Sequence, residues 1–599
     1  MIIKFAYIIL AVFTKLNDTF TKKSVDNYIR KPILIEKLES KINGYNSKGI
    51  ISSESNKLCY YTYCNGEIES FKADNYTKSL IIDPGQKFVF TVIPIESFRS
   101  LLFIEKIYLL TCKILINKIS KKYINDSYNL VKKNLYKLSK INKSTDKDKI
   151  LDKQIIGNII YYRNNSKNKV TFNYKNSIIL YRKLNFSSQN SAKSKRIIVF
   201  SIDNISKSTV KLISKNKKLF PNLAKLINSE FFVTPKISST ISNWTQPAAV
   251  SMLSGELFER HKIFHPSMKP FFFLNSVIYK NNNKTHNKLK YLFSERYRCG
   301  SNWRLRTHQG SHAFFNNCFS CLRDGDLYNT LLQTFKSLDL AGEDSSLHWI
   351  DIMDTHHPIY NKILPYGSLN YLEKKSFNLG LGYETSPKIT KSKKIESSKE
   401  VYLSQIVSLD NAVGSILEKS FSNVPQENHL IALISDHGTG FMNQENEFTK
   451  TLEKHQSLMG FYSENIDKSK RNQLSKSSFS PSEFLDMIYF FCNQNREDYK
   501  LKFKEYNYSQ IFYPGKKYEF IYFKSNNIIF KFVSSKVIPN SSFEKIYMNL
   551  RKIAREILSS GDWYFLKNDI NKPINQKDVP INILDEYYFV VQSWGNKIK

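Results

Sequence analysis

The chain has 599 residues, a formal net charge of +36 and 41% hydrophobic residues. This length exceeds what one hydrophobic core usually supports, so we expect two or three domains. Lysines occur in all regions and no nucleic-acid-binding module accompanies them, so we expect no specific nucleic-acid binding. A solvated basic surface is favoured over attraction to acidic substrates or anionic envelope surfaces. Seven scattered cysteines argue against a disulfide framework.

Residues 1–190 form an N-terminal region of unknown function, predicted to be strand-rich and then helical. The first residues, MIIKFAYIILAVF, are short for a membrane span and marginal for a signal peptide. An extracytoplasmic or envelope location and a cytoplasmic one both stay open. Strands are expected in LCYYTYCNGEIESF and FVFTVIPI, and helices from about 100 to 140. The polar segment SSQNSAKSK then predicts a linker and a domain boundary near 190.

Residues 191–504 alternate strand and helix patterns and are interpreted as the core domain. Apolar strands are expected in RIIVFSI, FFVTPKI, LHWIDIM and LIALIS, and helices in FPNLAKLINS and over 402–421. Continuous apolar strands are typical of a sheet buried on both faces. The fold class is therefore α/β, with a doubly wound, mostly parallel sheet flanked by helices. Residues 267–346 are too many for a simple connection and are expected to rim or cap the site.

Residues 505–599 show a different pattern. The stretch YEFIYFKSNNIIFKFV is typical of a hairpin, and SFEKIYMNLRKIAREILSS of a helix. We expect a small C-terminal α+β subdomain here.

Polar residues follow two of the apolar strands and begin one helix. Asp203 and Asn204 follow RIIVFSI, Asp436 and His437 follow LIALIS, and Thr245 begins a helix with proline in its first turn. Carboxyl ends of parallel strands meet at one edge, so these groups can converge. Taken singly, such residues are more often helix caps or loop residues. Together they predict a metal site beside a hydroxyl that could attack phosphorus or sulfur.

A further motif, IMDTHHPIY, places Asp354, His356 and His357 after the strand LHWIDIM. Two histidines behind an aspartate at a strand end favour a functional site over a purely structural role. His455 is a less specific candidate, because an exposed helix position explains it equally well.

From Asp203 to about Lys450, the order of these motifs resembles the alkaline phosphatase superfamily, and its sulfatase-like branch in particular. The segment TQPAAVSMLSGELFERHKI is similar to the sulfatase signature, with Thr245 at the nucleophile position and His261 at the later histidine. DTHHP is similar to the family's D-x-H-x-P. The resemblance implies four catalytic residues, which are Thr245, His261, His356 and Lys450.

The same resemblance implies bound metal. The first ion would be held by Asp203, Asn204, Asp436 and His437, and a possible second ion by Asp354, His357 and His455, with His356 an alternative to His357. Oxygen-rich ligation suits calcium, magnesium or manganese, whereas ligands that include histidine suit zinc. One divalent ion is favoured over two.

The sequence departs from true sulfatases at the nucleophile. Thr245 replaces the cysteine or serine that becomes formylglycine, and Ala248 and Ala249 replace the signature serine and arginine. A threonine nucleophile resembles the phosphodiesterases and phosphotransferases of the superfamily. We therefore expect hydrolysis or transfer of a phosphate ester, on a substrate that could be glycan- or lipid-linked. A sulfatase without formylglycine and a catalytically degenerate glycan- or envelope-binding protein are the alternatives.

Overall fold

The computed structural model describes residues 48–54, 57–64, 67–94, 153–156, 159–173, 177–184, 195–242, 245–257, 292–293, 295–301, 314–321, 327–355, 391–438, 445–492, 507–513, 515–525, 528–540, 549–567 and 570–594. The chain divides into two compact units, Met1–Phe186 with Ser311–Arg323, and Ser187–Gly310 with Asp324–Lys599. The apolar N-terminus and the helices expected from 100 to 140 lie outside the described residues.

The first unit consists of antiparallel strands. β1, β2, β3 and β15 pair side by side, β4, β10, β6, β8 and β7 form a second sheet, and β5 pairs with β9. Apolar and aromatic side chains such as Phe88, Phe90, Ile160 and Ile179 form its core. The strands are β1 Lys48–Glu54, β2 Lys57–Cys64, β3 Glu67–Ala73, β4 Asn75–Thr77, β5 Ser79–Ile82, β6 Lys87–Pro94, β7 Lys153–Ile156, β8 Ile159–Arg163, β9 Val170–Asn173, β10 Ser177–Leu184 and β15 Asn317–Cys321.

A mixed sheet lies at the centre of the second unit, in the order β14-β16-β11-β17-β18-β12. The first four strands are parallel, and β18 runs antiparallel to both its neighbours. Because β11 lies between β16 and β17, its carboxyl end lies in the middle of the edge that the carboxyl ends of the parallel strands form. The strands of this part are β11 Arg196–Ile202, β12 Phe232–Val233, β13 Ile237–Ser238, β14 Glu295–Ser301, β16 Ser346–Ile352, β17 His429–Ile434, β18 Met459–Tyr462 and β19 Ser478–Phe479.

Helices cover both faces of this sheet. On one face, apolar residues of α1, α2, α4 and α5 pack on Ile198, Phe200 and Ile350. On the other, Phe484 of α8 makes an edge contact with Trp349, with ring centroids 5.5 Å apart. The helices are α1 Lys207–Lys215, α2 Pro221–Ile227, α3 Thr245–Ser254, α4 Leu327–Ala341, α5 Lys391–Asn423, α6 Glu447–His455, α7 Lys468–Lys476, α8 Phe484–Cys492, α9 Leu550–Leu558 and α10 Ile581–Ser593.

The predicted α/β class is confirmed, and two details differ. The expected strand FFVTPKI is two short strands, because Pro235 lacks the N–H that a continuous ladder requires. Residues 295–301 and 327–341, expected to rim the site, are instead β14 of the central sheet and helix α4 against it. The sequence of β14, ERYRCGS, is polar and has no apolar run that would predict a strand, although residues 295–300 are buried.

The C-terminal residues form an antiparallel sheet with two helices on one face. Helices α9 and α10 pack on it through Trp563, Tyr587 and their neighbours. On the other face, Phe448 of α6 packs with Ile521 and Phe523. In the described part of the chain, no helix is long and apolar enough to span a membrane. The strands are β20 Asn507–Ile511, β21 Lys517–Ser525, β22 Ile528–Val537, β23 Gly561–Lys567 and β24 Ile570–Ile574.

Candidate active site

Three chain segments bring their polar residues together at the carboxyl edge of the central sheet. Asp203 follows β11, Asp436 and His437 follow β17, and Thr245 is the first residue of α3. Donor atoms of Asp203, Asp436 and His437 all lie within 4.8 Å of one another. The strand-end residues singled out from the sequence therefore share one crevice.

The Thr245 side chain is hydrogen-bonded to the Asp203 carboxylate. Its hydroxyl donates to Asp203 Oδ2 over 2.9 Å, and the same oxygen lies 3.3 Å from His437 Nε2. Asp203 is buried, with a side chain 1% exposed, whereas that of His437 is 14% exposed. The hydroxyl thus contacts two groups that can accept its proton.

The Asp436 carboxylate has one occupied oxygen and one oxygen aimed into the crevice. Oδ1 accepts the backbone N–H groups of Asn204 and His437, over 3.2 and 2.8 Å. Oδ2 lies 3.4 Å from His437 Nε2. Asp436 Oδ2 and Asp203 Oδ1 are buried and have no hydrogen-bond partner among the described residues. Buried carboxylate oxygens without donors are costly, and a bound cation would satisfy them.

The orientation of His437 leaves one ring nitrogen for the crevice. Its Nδ1 lies 3.0 Å from the carbonyl oxygen of Gly438, which can only accept, so Nδ1 carries the proton. In the neutral ring Nε2 is then a lone-pair donor, and it faces both carboxylates. A backbone carbonyl that fixes the tautomer in this way is common for metal-binding histidines.

These residues fit a divalent cation. Burial, and after it the neighbouring Asp203 carboxylate, raises the pKa of Asp436. A cation would offset both effects. Donor atoms that all lie within 4.8 Å of one another are compatible with a common ion at ligand distances of ~2.0–2.6 Å. The mixture of carboxylate oxygens, a hydroxyl and an imidazole nitrogen is compatible with zinc, manganese or magnesium.

Several supporting residues were not anticipated from the sequence. Ser435 Oγ accepts the N–H of Ile205 over 2.9 Å and donates to the carbonyl of His437 over 2.7 Å, so it joins the two strand-end turns. Thr355 and Tyr402 donate their hydroxyls to the carbonyls of Asp203 and Asn204. Ser435 and Thr355 have a local signal, because each adjoins a predicted site residue, whereas Tyr402 has none.

Gly438 lies directly against α6. A Cβ atom at this position would be 1.8 Å from the carbonyl oxygen of Glu453 and 3.3 Å from Ser206 Cβ. The Gly438 N–H also donates to the carbonyl of Lys454 over 3.1 Å. The Asp-His-Gly turn therefore needs glycine for close packing.

The remaining candidates are not brought into this cluster by any contact of the described residues. Asp354 Oδ1 accepts the N–H of Leu327 at the start of α4, over 3.1 Å. His455 is fully buried, with Nδ1 2.7 Å from Ser509 Oγ, and burial lowers its pKa well below the usual value. Lys450 is half-buried on α6.

Three of the predicted residues, His261, His356 and His357, lie outside the described residues. Among the described residues, one group of three or more His, Cys, Asp or Glu side chains has metal-binding spacing, and it consists of Asp203, Asp436 and His437. A second ion stays a prediction.

No family model and no curated protein matches the chain in sequence. Among solved structures, it is similar to yidJ, a candidate sulfatase of Bacteroides fragilis, at 12% identity and a TM-score of 0.43, over 63% of this chain and 97% of that one. A protein of the alkaline phosphatase superfamily from Vibrio parahaemolyticus matches at 12% identity and a TM-score of 0.39, over 68% and 89%.

The zinc complex of the C-terminal periplasmic domain of EptC from Escherichia coli matches at 13% identity and a TM-score of 0.35, over 52% of this chain and 85% of that domain. The structural similarity is thus to sulfatases and other sulfatase-like proteins of the alkaline phosphatase superfamily. At these identities and TM-scores it concerns the fold and carries nothing about activity.

Proposed function

We propose that the chain is a metal-dependent hydrolase or transferase that cleaves or transfers a phosphate ester with Thr245 as the nucleophile. The observation that carries the proposal is the Thr245 hydroxyl, 2.9 Å from the buried Asp203 carboxylate, in a cluster with two unsatisfied carboxylate oxygens. A hydroxyl beside an acceptor and a potential cation site is the arrangement required of an activated oxygen nucleophile.

Asp203, Asp436, His437 and the Thr245 oxygen would hold the ion. When bound, a divalent cation lowers the pKa of a coordinated hydroxyl and neutralises charge on the ester oxygens. The start of α3 places Thr245 at the positive end of a helix dipole, which also favours an anionic group there.

In the proposed reaction, Thr245 Oγ1 forms a bond to phosphorus while the bond from phosphorus to the alcohol oxygen breaks. The hydroxyl proton passes to Asp203, which already accepts it as a hydrogen bond. The departing alkoxide takes a proton from His261, His356 or Lys450, the roles that the sequence resemblance implies. Water in a hydrolase, or an acceptor alcohol in a transferase, then attacks the phosphothreonine and gives its proton to the residue that protonated the leaving alkoxide. The bond from phosphorus to Thr245 Oγ1 breaks, and the proton on Asp203 returns to that oxygen.

The test is a panel of aryl phosphate monoesters, aryl phosphate diesters and aryl sulfates, each with magnesium, calcium, manganese or zinc. We expect phosphate turnover, loss of at least ~100-fold in Thr245→Val, and partial retention in the matched variant Thr245→Ser, which keeps the hydroxyl. Mass spectrometry of quenched protein should detect a phosphoryl group on Thr245. Undiminished turnover by Thr245→Val would overturn the assignment.

Two other outcomes identify the alternatives. Turnover of aryl sulfate alone would indicate a sulfatase that works without formylglycine. Ala248 and Ala249, which replace the signature serine and arginine, favour a degenerate glycan- or envelope-binding protein instead. Glycan binding with no ester turnover under any metal would identify that alternative.

A further inference from the structure

The turn that follows β11 has an uncommon backbone conformation. Asn204 has φ of +65°, and among the described residues it is the one non-glycine with positive φ. Most side chains are disfavoured in this left-handed region, and asparagine tolerates it better than most. The conformation directs the Asn204 N–H toward Asp436 Oδ1, 3.2 Å away.

Three further hydrogen bonds hold this turn. The Thr355 hydroxyl donates to the carbonyl of Asp203, and the Asn204 amide nitrogen donates to the carbonyl of Thr355 over 3.1 Å. The Tyr402 hydroxyl donates to the carbonyl of Asn204 over 2.8 Å. Both carbonyls of the turn and the Asn204 side chain are therefore tied to the residues that follow β16 and to α5, which are distant in sequence.

We propose that Tyr402 and Thr355 are positioning residues that hold the Asp203–Asn204 turn in its left-handed form, so that the Asp203 and Asp436 carboxylates face one cation. The inference rests on the proposed function and deepens it. With Asp436 Oδ1 fixed by the Asn204 and His437 N–H groups, Oδ2 is the oxygen left for the ion.

Asn204 acquires a different role from the one that the sequence resemblance implies. Its amide N–H is engaged by Thr355, and its backbone N–H contacts Asp436. Under the proposal, the contribution of Asn204 is the left-handed backbone, which glycine can reproduce and alanine adopts poorly.

The first experiment compares Asn204→Gly with Asn204→Ala. Manganese or zinc alone is titrated into the metal-free full-length chain, and the dissociation constant is obtained from calorimetry and from the shift in thermal unfolding. We expect Asn204→Ala to bind about tenfold more weakly than Asn204→Gly. Equal losses in both variants would indicate that the Asn204 side chain is a ligand, and would overturn the positioning role.

The second experiment removes single hydroxyls. Tyr402→Phe and Thr355→Val should each weaken ion binding by about 10- to 100-fold, as outer hydrogen-bond partners of ligands do, with an unchanged circular dichroism spectrum. Thr355→Ser keeps the hydroxyl and should restore binding. The matched control is Tyr462→Phe, because Tyr462 lies in the same apolar core and its hydroxyl contacts Glu464 and Gln426 instead of the turn.

The outcomes separate this inference from the function on which it rests. If the wild-type chain binds the ion and Tyr402→Phe binds it equally well, the positioning role alone is overturned. Loss of binding by the same factor in Tyr462→Phe also overturns it, because general core destabilisation would then explain both. A wild-type chain that binds none of the divalent ions overturns the metal-dependent function as well.

Discussion

Asp203 and Asp436 are buried carboxylates that share one crevice, and they repel each other when no cation is bound. We predict that Asp436→Asn raises the free energy of unfolding of the metal-free chain by ~1–2 kcal/mol, because a like charge disappears. The amide oxygen can still accept from Asn204 and His437. The same variant should lose the stabilisation that divalent ions give. Chemical denaturation with and without ion measures both effects.

A buried carboxylate without a like-charged neighbour provides the control. Asp410 accepts the N–H groups of Leu223 and Asn222 at the start of α2, over 2.6 and 3.2 Å. Asp410→Asn should lower stability by ~1 kcal/mol, since one of the two accepting oxygens becomes an amide NH2 group that faces an N–H donor, and should leave the ion response unchanged. A metal-free Asp436→Asn chain less stable than wild type would contradict the repulsion argument.

Gly438 gives a second prediction for a single residue. A Cβ atom would overlap the Glu453 carbonyl, so Gly438→Ala must displace either α6 or the turn that carries His437. We expect a loss of ~1–3 kcal/mol in stability together with weaker ion binding. Gly342→Ala is the control, because Gly342 has φ of +58° and open space around it. It should destabilise the chain without altering ion affinity.

For single residues, sequence patterns identify the site residues that adjoin a strand end. They miss residues that contact the site from a part of the chain distant in sequence. Asp203, Asp436 and His437 follow apolar strands, and Thr245 begins a helix with proline, so each has a local signal. Tyr402 reaches Asn204 across 198 positions of sequence, and nothing near it predicts the contact. Whether the residues act as assigned stays a prediction.

Among the secondary-structure elements, β17 begins with a buried histidine whose protonation opposes folding. His429 Nδ1 donates to the carbonyl of Pro425, and Nε2 lies 2.8 Å from Ser420 Oγ. Burial lowers the pKa of His429 to about 4. The unfolded chain binds this proton near pH 6.5 and the folded chain does not, so stability is present above pH 6.5 and decreases as the pH falls toward 4.

We predict a contribution of about 3 kcal/mol from His429 to this acid destabilisation. His429→Gln should therefore have a flatter dependence of unfolding free energy on pH between 6.5 and 4.5 than wild type. Denaturant titrations at several pH values measure it. Parallel curves for the two proteins would show that the His429 side chain is protonated without cost in the fold.

Predictions for whole elements succeeded where an apolar run matched a buried strand. β11, β16 and β17 lie within one residue of RIIVFSI, LHWIDIM and LIALIS. β14 was not predicted because Glu295, Arg296 and Arg298 are charged and yet buried, and Arg298 is paired with Asp351 over 2.6 Å. Pairing of charges across a sheet is not visible in a single sequence.

At the scale of the whole molecule, the first unit is not contiguous in sequence. β15 pairs with β3, and its Phe319 ring lies 6.5 Å from that of Tyr161. We predict that a chain restricted to 187–599 loses solubility, because Cys318 and Phe319, both buried in the full chain, lose these partners. Replacement of 311–323 by a glycine-serine linker in the same truncation should restore it. Soluble yield and light scattering compare the truncated chain with and without the linker replacement.

The return of the chain to its first unit also constrains the order of events during synthesis. A ribosome has to translate through Cys321 before β3 can receive β15, and by then two of the four parallel strands, β16 and β17, have still to be made. Until that moment one edge of β3 has unpaired backbone groups, and such edges recruit foreign strands. We therefore expect the nascent chain to depend on chaperones until Cys321 has been added and β15 can pair with β3.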